Sequence, residues 1–142
     1  MNPIIRNILA VIAGAVVGSV VNGSIVKISG TLIAYPEGVD VNNFENLKAN
    51  MHLFEPRHFI MPFLAHALGT FVGALITAII AATYKMNFAL VIGLLFLVGG
   101  ITAVYMLPAP TWFNMVDLVC AYIPMAWIAV KLVVNRLKLN PI

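Results

Sequence analysis

The sequence predicts an all-α integral membrane protein: a four-helix bundle with one short amphipathic helix in its first extramembrane loop. Three observations carry this. Four apolar runs, at about residues 4–26, 59–84, 88–107 and 112–134, each suffice to cross a hydrocarbon core of ~30 Å at ~1.5 Å per helical residue. Only 9% of the residues are charged, against about 25% in soluble domains, so no water-facing surface of ordinary size can be built. The turns joining the second, third and fourth runs are very short, which makes those helices antiparallel neighbours.

The four runs consume nearly the whole chain, so residues 1–142 form a single transmembrane domain. The net charge of +3 does not imply a nucleic-acid partner, because the basic residues sit at span ends and not on one polar face. Cys120 is the one cysteine, which excludes an intrachain disulfide and a cysteine metal cluster.

The first run resembles a signal peptide in having Arg6 ahead of an apolar stretch. Asn22, Gly23 and Ser24 lead into further apolar residues with no small-residue cleavage site, so it is expected to be a retained span. The outer loop, residues 30–57, holds a turn at Tyr35, Pro36, Glu37 and Gly38. Asn42 followed by Glu45 resembles a capping box. Phe44, Leu47, Met51 and Phe54 then recur on one helical face, predicting a short amphipathic helix on the membrane surface or on the bundle.

The second run lies between Arg57 and Lys85, with Lys85, Met86 and Asn87 as the turn into the third. Pro108, Ala109 and Pro110 turn the third run into the fourth, and Trp112 follows at interface depth. Pro62 and Pro124 fall within spans two and four and are expected to kink them. The tail from Lys131 onward is basic and is expected to leave the membrane.

Alternation places both termini on one side, with five of the eight basic residues there: Arg6, Lys85, Lys131, Arg136 and Lys138. The positive-inside rule then predicts a multi-pass protein of the cell inner membrane with both termini in the cytoplasm. Four of the five acids, Glu37, Asp40, Glu45 and Glu55, lie in the opposite loop.

The fifth acid, Asp117, lies inside a span, where a carboxylate is costly and needs a partner. Counted from the loop side of the membrane, Asp117 is ~10 Å deep, His66 ~13 Å and Asn22 ~8 Å. Asn114 lies one turn before Asp117. Asn22, His66, Asn114 and Asp117 are therefore expected as one polar intramembrane cluster, either a lock on helix register or a proton- or ligand-binding site. Lys27 is a rival partner for the acid, since its long chain can snorkel inward.

His52, Glu55 and His58 are spaced by three and are metal-ligand types, so they form a candidate outer-face metal or lipid site. Pro56 interrupts any helix through them. Gly14 and Gly18 in span one, and Gly69 and Gly73 in span two, are spaced for close helix packing, within the bundle or between copies. Haem ligation needs two imidazoles at similar depth on facing helices, and only His66 lies well inside a span. No nucleophile elbow, Walker loop or paired intramembrane aspartates occur in the chain, so neither an enzyme nor a cofactor is expected.

Residues 36–40, 53–58, 63–70 and 106–112 resemble stretches of a small four-span bacterial inner-membrane protein family of unassigned function. That resemblance implies the membrane and the four spans, and it carries no activity. The leading expectation is a structural or accessory subunit acting by self-association or docking to a larger membrane complex, with membrane lipids around it. The alternative is a small transporter or proton-coupled component built on Asp117 and His66.

Overall fold

In a computed structural model, which describes residues 1–137, the chain is all-α, with no strand among the described residues. Four helical segments are long and apolar enough to cross a membrane: Pro3–Leu32, Pro56–Ile80, Lys85–Met106 and Thr111–Arg136. Lys138 to Ile142 of the basic tail lie outside the described residues.

The first helix, α1 (Pro3–Leu32), opens on an Asn2 cap whose side chain accepts the Ile4 amide at 2.9 Å, with Pro3 where a missing N–H costs nothing. It is longer than the expected run and continues past Lys27 for more than a turn. It packs chiefly on α3 (Ile60–Ile80). Gly14, Gly18, Gly69 and Gly73 face one another at that contact. A methyl group on Gly73 would lie 2.8 Å from the Gly14 carbonyl oxygen, and one on Gly69 would lie 2.9 Å from that of Gly18. Backbone meets backbone here, which apolar helices in lipid need in order to gain dispersion contact. Thr77 then donates to the carbonyls of Ala10 and Gly73, at 3.2 and 3.0 Å.

The amphipathic segment folds as α2 (Phe44–Asn50), followed by a 3₁₀ turn at Met51–Leu53. The helix is shorter than the apolar period suggested. Its cap is Asn43, not Asn42, accepting the Asn46 amide at 3.0 Å. Met51 is buried against Phe59 and Phe113, with Leu47 and Phe54 packed beside it, so the segment sits on the end of the bundle. Phe44 remains exposed.

Pro62 does not kink the second span. A 3₁₀ turn at Pro56–Phe59 precedes α3, and Pro62 falls in the first turn of that helix, where no intrahelical amide is needed. The third span is α4 (Lys85–Met106). The turn before it spans residues 81–84, ahead of the expected position, with Tyr84 in the left-handed region at φ 48°. Lys85 is consequently buried, and its ammonium group donates to the carbonyls of Ala78 and Ala81 at the end of α3. Arg6 adds a bond to Ile80 O at 2.6 Å, and Asn7 accepts the Ala82 amide at 2.8 Å. These side chains satisfy carbonyl and amide groups that a helix end leaves open.

The fourth span is two helices, α5 (Thr111–Cys120) and α6 (Ile123–Leu137). Pro124 has no amide hydrogen for the Cys120 carbonyl, so the ladder stops with Ala121 N–H to Asp117 O and restarts with Ala126 N–H to Tyr122 O. Towards the termini, the bundle core is built of small apolar side chains: Ala74, Ala78, Ala89, Ile92, Ala126 and Val130 are all fully buried.

Candidate functional site: a bonded Asp117, His66 and Tyr122 cluster at the floor of a cleft

Asp117 is buried, its side chain 6% exposed, and it faces α3. His66 Nδ1 lies 2.8 Å from Asp117 Oδ1 and 2.9 Å from Oδ2. Since a carboxylate only accepts, Nδ1 carries the hydrogen and donates it. The Tyr122 hydroxyl donates to Asp117 Oδ2 at 2.8 Å, and its oxygen lies 3.1 Å from His66 Nδ1. The His66 and Tyr122 rings stack with centroids 5.8 Å apart. Among the described residues, every side-chain hydrogen bond of His66 runs through Nδ1, while the ring, 24% exposed, borders open space.

The sequence reading missed Tyr122. In one continuous helix, residues five apart point about 140° away from each other, so Tyr122 would face away from Asp117. The break before Pro124 turns Tyr122 back onto the carboxylate, where it is 1% exposed. Gly100 of α4 makes the room, because a methyl group there would overlap the Tyr122 phenol. The available signal was a tyrosine two residues before an intramembrane proline.

Of the four residues expected to meet, the structure bonds His66 to Asp117 directly. Asn22 borders a cavity with His66 but makes no bond to it. Asn114 turns its amide to its own helix start, donating to Ala109 O at 3.3 Å. Lys27 lines the cleft above and makes no bond to Asp117.

His52, Glu55 and His58 do not converge, which corrects the metal expectation. His58 is buried and spends both nitrogens on backbone: Nδ1 accepts the Glu55 amide at 2.8 Å, so Nε2 carries the hydrogen and donates to Ala34 O at 3.1 Å. The exposed His52 lies 3.0 Å from Ala49 O through Nδ1, and Glu55 pairs with Arg57 at 2.9 Å. Among the described residues, no three His, Cys, Asp or Glu side chains are grouped to hold a metal ion.

A cleft of about 890 Å³ runs from beneath the loop to Asp117 and His66. Its sides come from the last turns of α1, the start of α3, the end of α4 and α5, and Tyr35 to Asn42 roof it. The roof is tied down by His58 to Ala34 and by a hydrogen bond between Ser29 and Tyr35. A second cavity, of about 260 Å³, shares His66 and Gly100 with the cleft and adds Ser19, Asn22 and Tyr122. Comparison with protein-family models, curated proteins and solved structures gives no match to this chain.

Proposed function

We propose that this chain is a small multi-pass inner-membrane protein that acts as a transporter or proton-coupled component, with Asp117, His66 and Tyr122 as its proton-holding site. One observation carries the reading: a cleft of ligand size reaches a bonded acid–imidazole pair from the loop side, whereas the terminal side is packed as a buried, alanine-rich apolar core. A clamp serving only helix register has no need of such a cleft. The structural or accessory reading draws less support, because the four glycines that were to offer a packing stripe are spent between α1 and α3. The orientation, with both termini cytoplasmic, rests on the basic-residue asymmetry.

The test is proton flux into liposomes containing a trapped pH dye, driven by an imposed potassium diffusion potential. The wild-type protein acidifies the lumen, and Asp117→Asn and His66→Gln do not. Equal flux through all three proteins would refute the proposal. Orientation is tested in a Cys120→Ala background: a cysteine at Asn42 reacts with an impermeant maleimide in intact cells, and one at Asn2 does not.

A further inference from the structure

The smaller cavity collects hydrogen-bonding groups that the protein does not use. Asn22 and Ser19 lie within the α1 span, and neither side chain bonds to another described residue. An amide without a partner is costly inside a membrane, where no bulk water competes for it. His66 adds its second nitrogen: Nδ1 is committed to Asp117, so Nε2 is the edge left for another molecule. These groups stand around one space that shares His66 and Gly100 with the cleft as lining.

Charge and shape narrow what fits. At the deep end, the one carboxylate is already bonded to the imidazole and the phenol. Nearer the roof, Lys27 and Asp40 supply one charge of each sign. No uncompensated charge waits for a charged ligand. The walls between these ends are apolar, with Val26, Leu47, Met51, Phe59, Val104 and Phe113 among them.

We infer that the cleft takes an uncharged, lipid-soluble molecule with a compact hydroxyl head. The inference rests on the reading of the cleft as a ligand site, and it names the ligand's chemistry. The head sits in the smaller cavity, where its hydroxyl bonds the Nε2 edge of His66 and the Asn22 amide. The apolar body lies along the cleft. A hydroxyl matches better than a carbonyl, because it both donates and accepts and so can serve the Nε2 edge of His66 and the Asn22 amide together.

The experiment uses the full chain with ring-¹⁵N histidine in phosphatidylcholine nanodiscs, titrated with 1-decanol, decanoate or decylammonium. The His66 signal is assigned by its loss in His66→Gln. Decanol is expected to move the His66 Nε2 signal saturably, and the two ions to bind at least about tenfold more weakly. Asn22→Ala keeps the β-carbon that packs on Gly69 and is expected to weaken decanol binding about two- to tenfold, the worth of one hydrogen bond. Ser19→Ala, at an exposed position, is the second variant and is expected to act in the same direction. Absence of decanol binding, an ion binding as tightly as decanol, or wild-type affinity in both alanine variants overturns the inference. Proton coupling fails independently, in the liposome assay, which contains no decanol.

Discussion

Replacing Asp117 by asparagine keeps the shape of the side chain and removes its charge. The carboxylate now receives hydrogens from two donors, His66 Nδ1 and the Tyr122 hydroxyl, with three contacts of 2.8 to 2.9 Å. Asparagine offers one accepting oxygen and turns the other position into a donor. The imidazole and the phenol then compete for one oxygen, and one of them faces an N–H₂ group. A hydrogen bond to a charged group contributes about 1.5–3 kcal/mol and a neutral one about 0.5–1.5, so two downgraded bonds predict a loss of about 2–3 kcal/mol. The imidazole can recover part of this by moving its hydrogen to Nε2 and accepting from the amide. Asp117→Ala has no such recourse and is expected to lose about 3–5 kcal/mol, the usual result of stripping one partner from a buried pair. Reversible unfolding in mixed micelles measures both. A double-mutant cycle with Tyr122→Phe isolates the phenol contribution, expected at about 1 kcal/mol or more, towards the upper end for polar pairs in membranes. An Asp117→Asn protein within about 0.5 kcal/mol of wild type, together with a coupling of zero, would refute this account of the cluster.

Gly14→Ala is expected to destabilise the bundle by about 2 kcal/mol, because its methyl group meets Thr77 and the Gly73 carbonyl. Gly23→Ala, with open space around it, is expected to be neutral or to stabilise by up to about 1 kcal/mol, and the same unfolding assay reads both. Lys85→Met keeps the length of the side chain but deletes the donor to Ala78 and Ala81. It should cost about 1–3 kcal/mol, with faster amide exchange in the turn at residues 81–84. His58→Ala frees Ala34 O and the Glu55 amide, so hydrogen exchange should rise across residues 34–55 while α3 below it stays protected. Thr70→Val removes a buried hydroxyl that has no partner among the described residues and is expected to raise stability by about 1 kcal/mol.

The bundle was legible because lipid leaves the backbone few options. Long apolar runs must be helices, and short turns make them neighbours. The meeting of His66 with Asp117 followed from depth alone, since helices of known direction place residues at calculable heights. Azimuth was not legible. Depth brought Asn22 and Asn114 to about the right height, but which way each amide points depends on helix rotation. Asn114 therefore bonds Ala109 O, and Asn22 borders a cavity. Tyr122 was hidden for a related reason: treating residues 112–134 as one helix fixes an angle that the break at Pro124 changes. Lys85 was read, with Met86 and Asn87, as the turn between the second and third spans. Its ammonium group instead finds α3 carbonyls, an outcome set by where α3 ends.

The length of α1 ties the cleft to the thickness of the bilayer. Arg6 and Lys27 are separated by ~32 Å along the helix, close to one hydrocarbon thickness. The residues beyond Lys27 therefore stand above the acyl chains as a post. Ile28 and Leu32 on that post are largely exposed, and Ser29 holds Tyr35 of the roof to it. The roof is thus mounted at a height fixed by the protein. A thin bilayer leaves the rim of the cleft in water, and a thick one draws Ile28, Leu32 and the rim among the lipid chains.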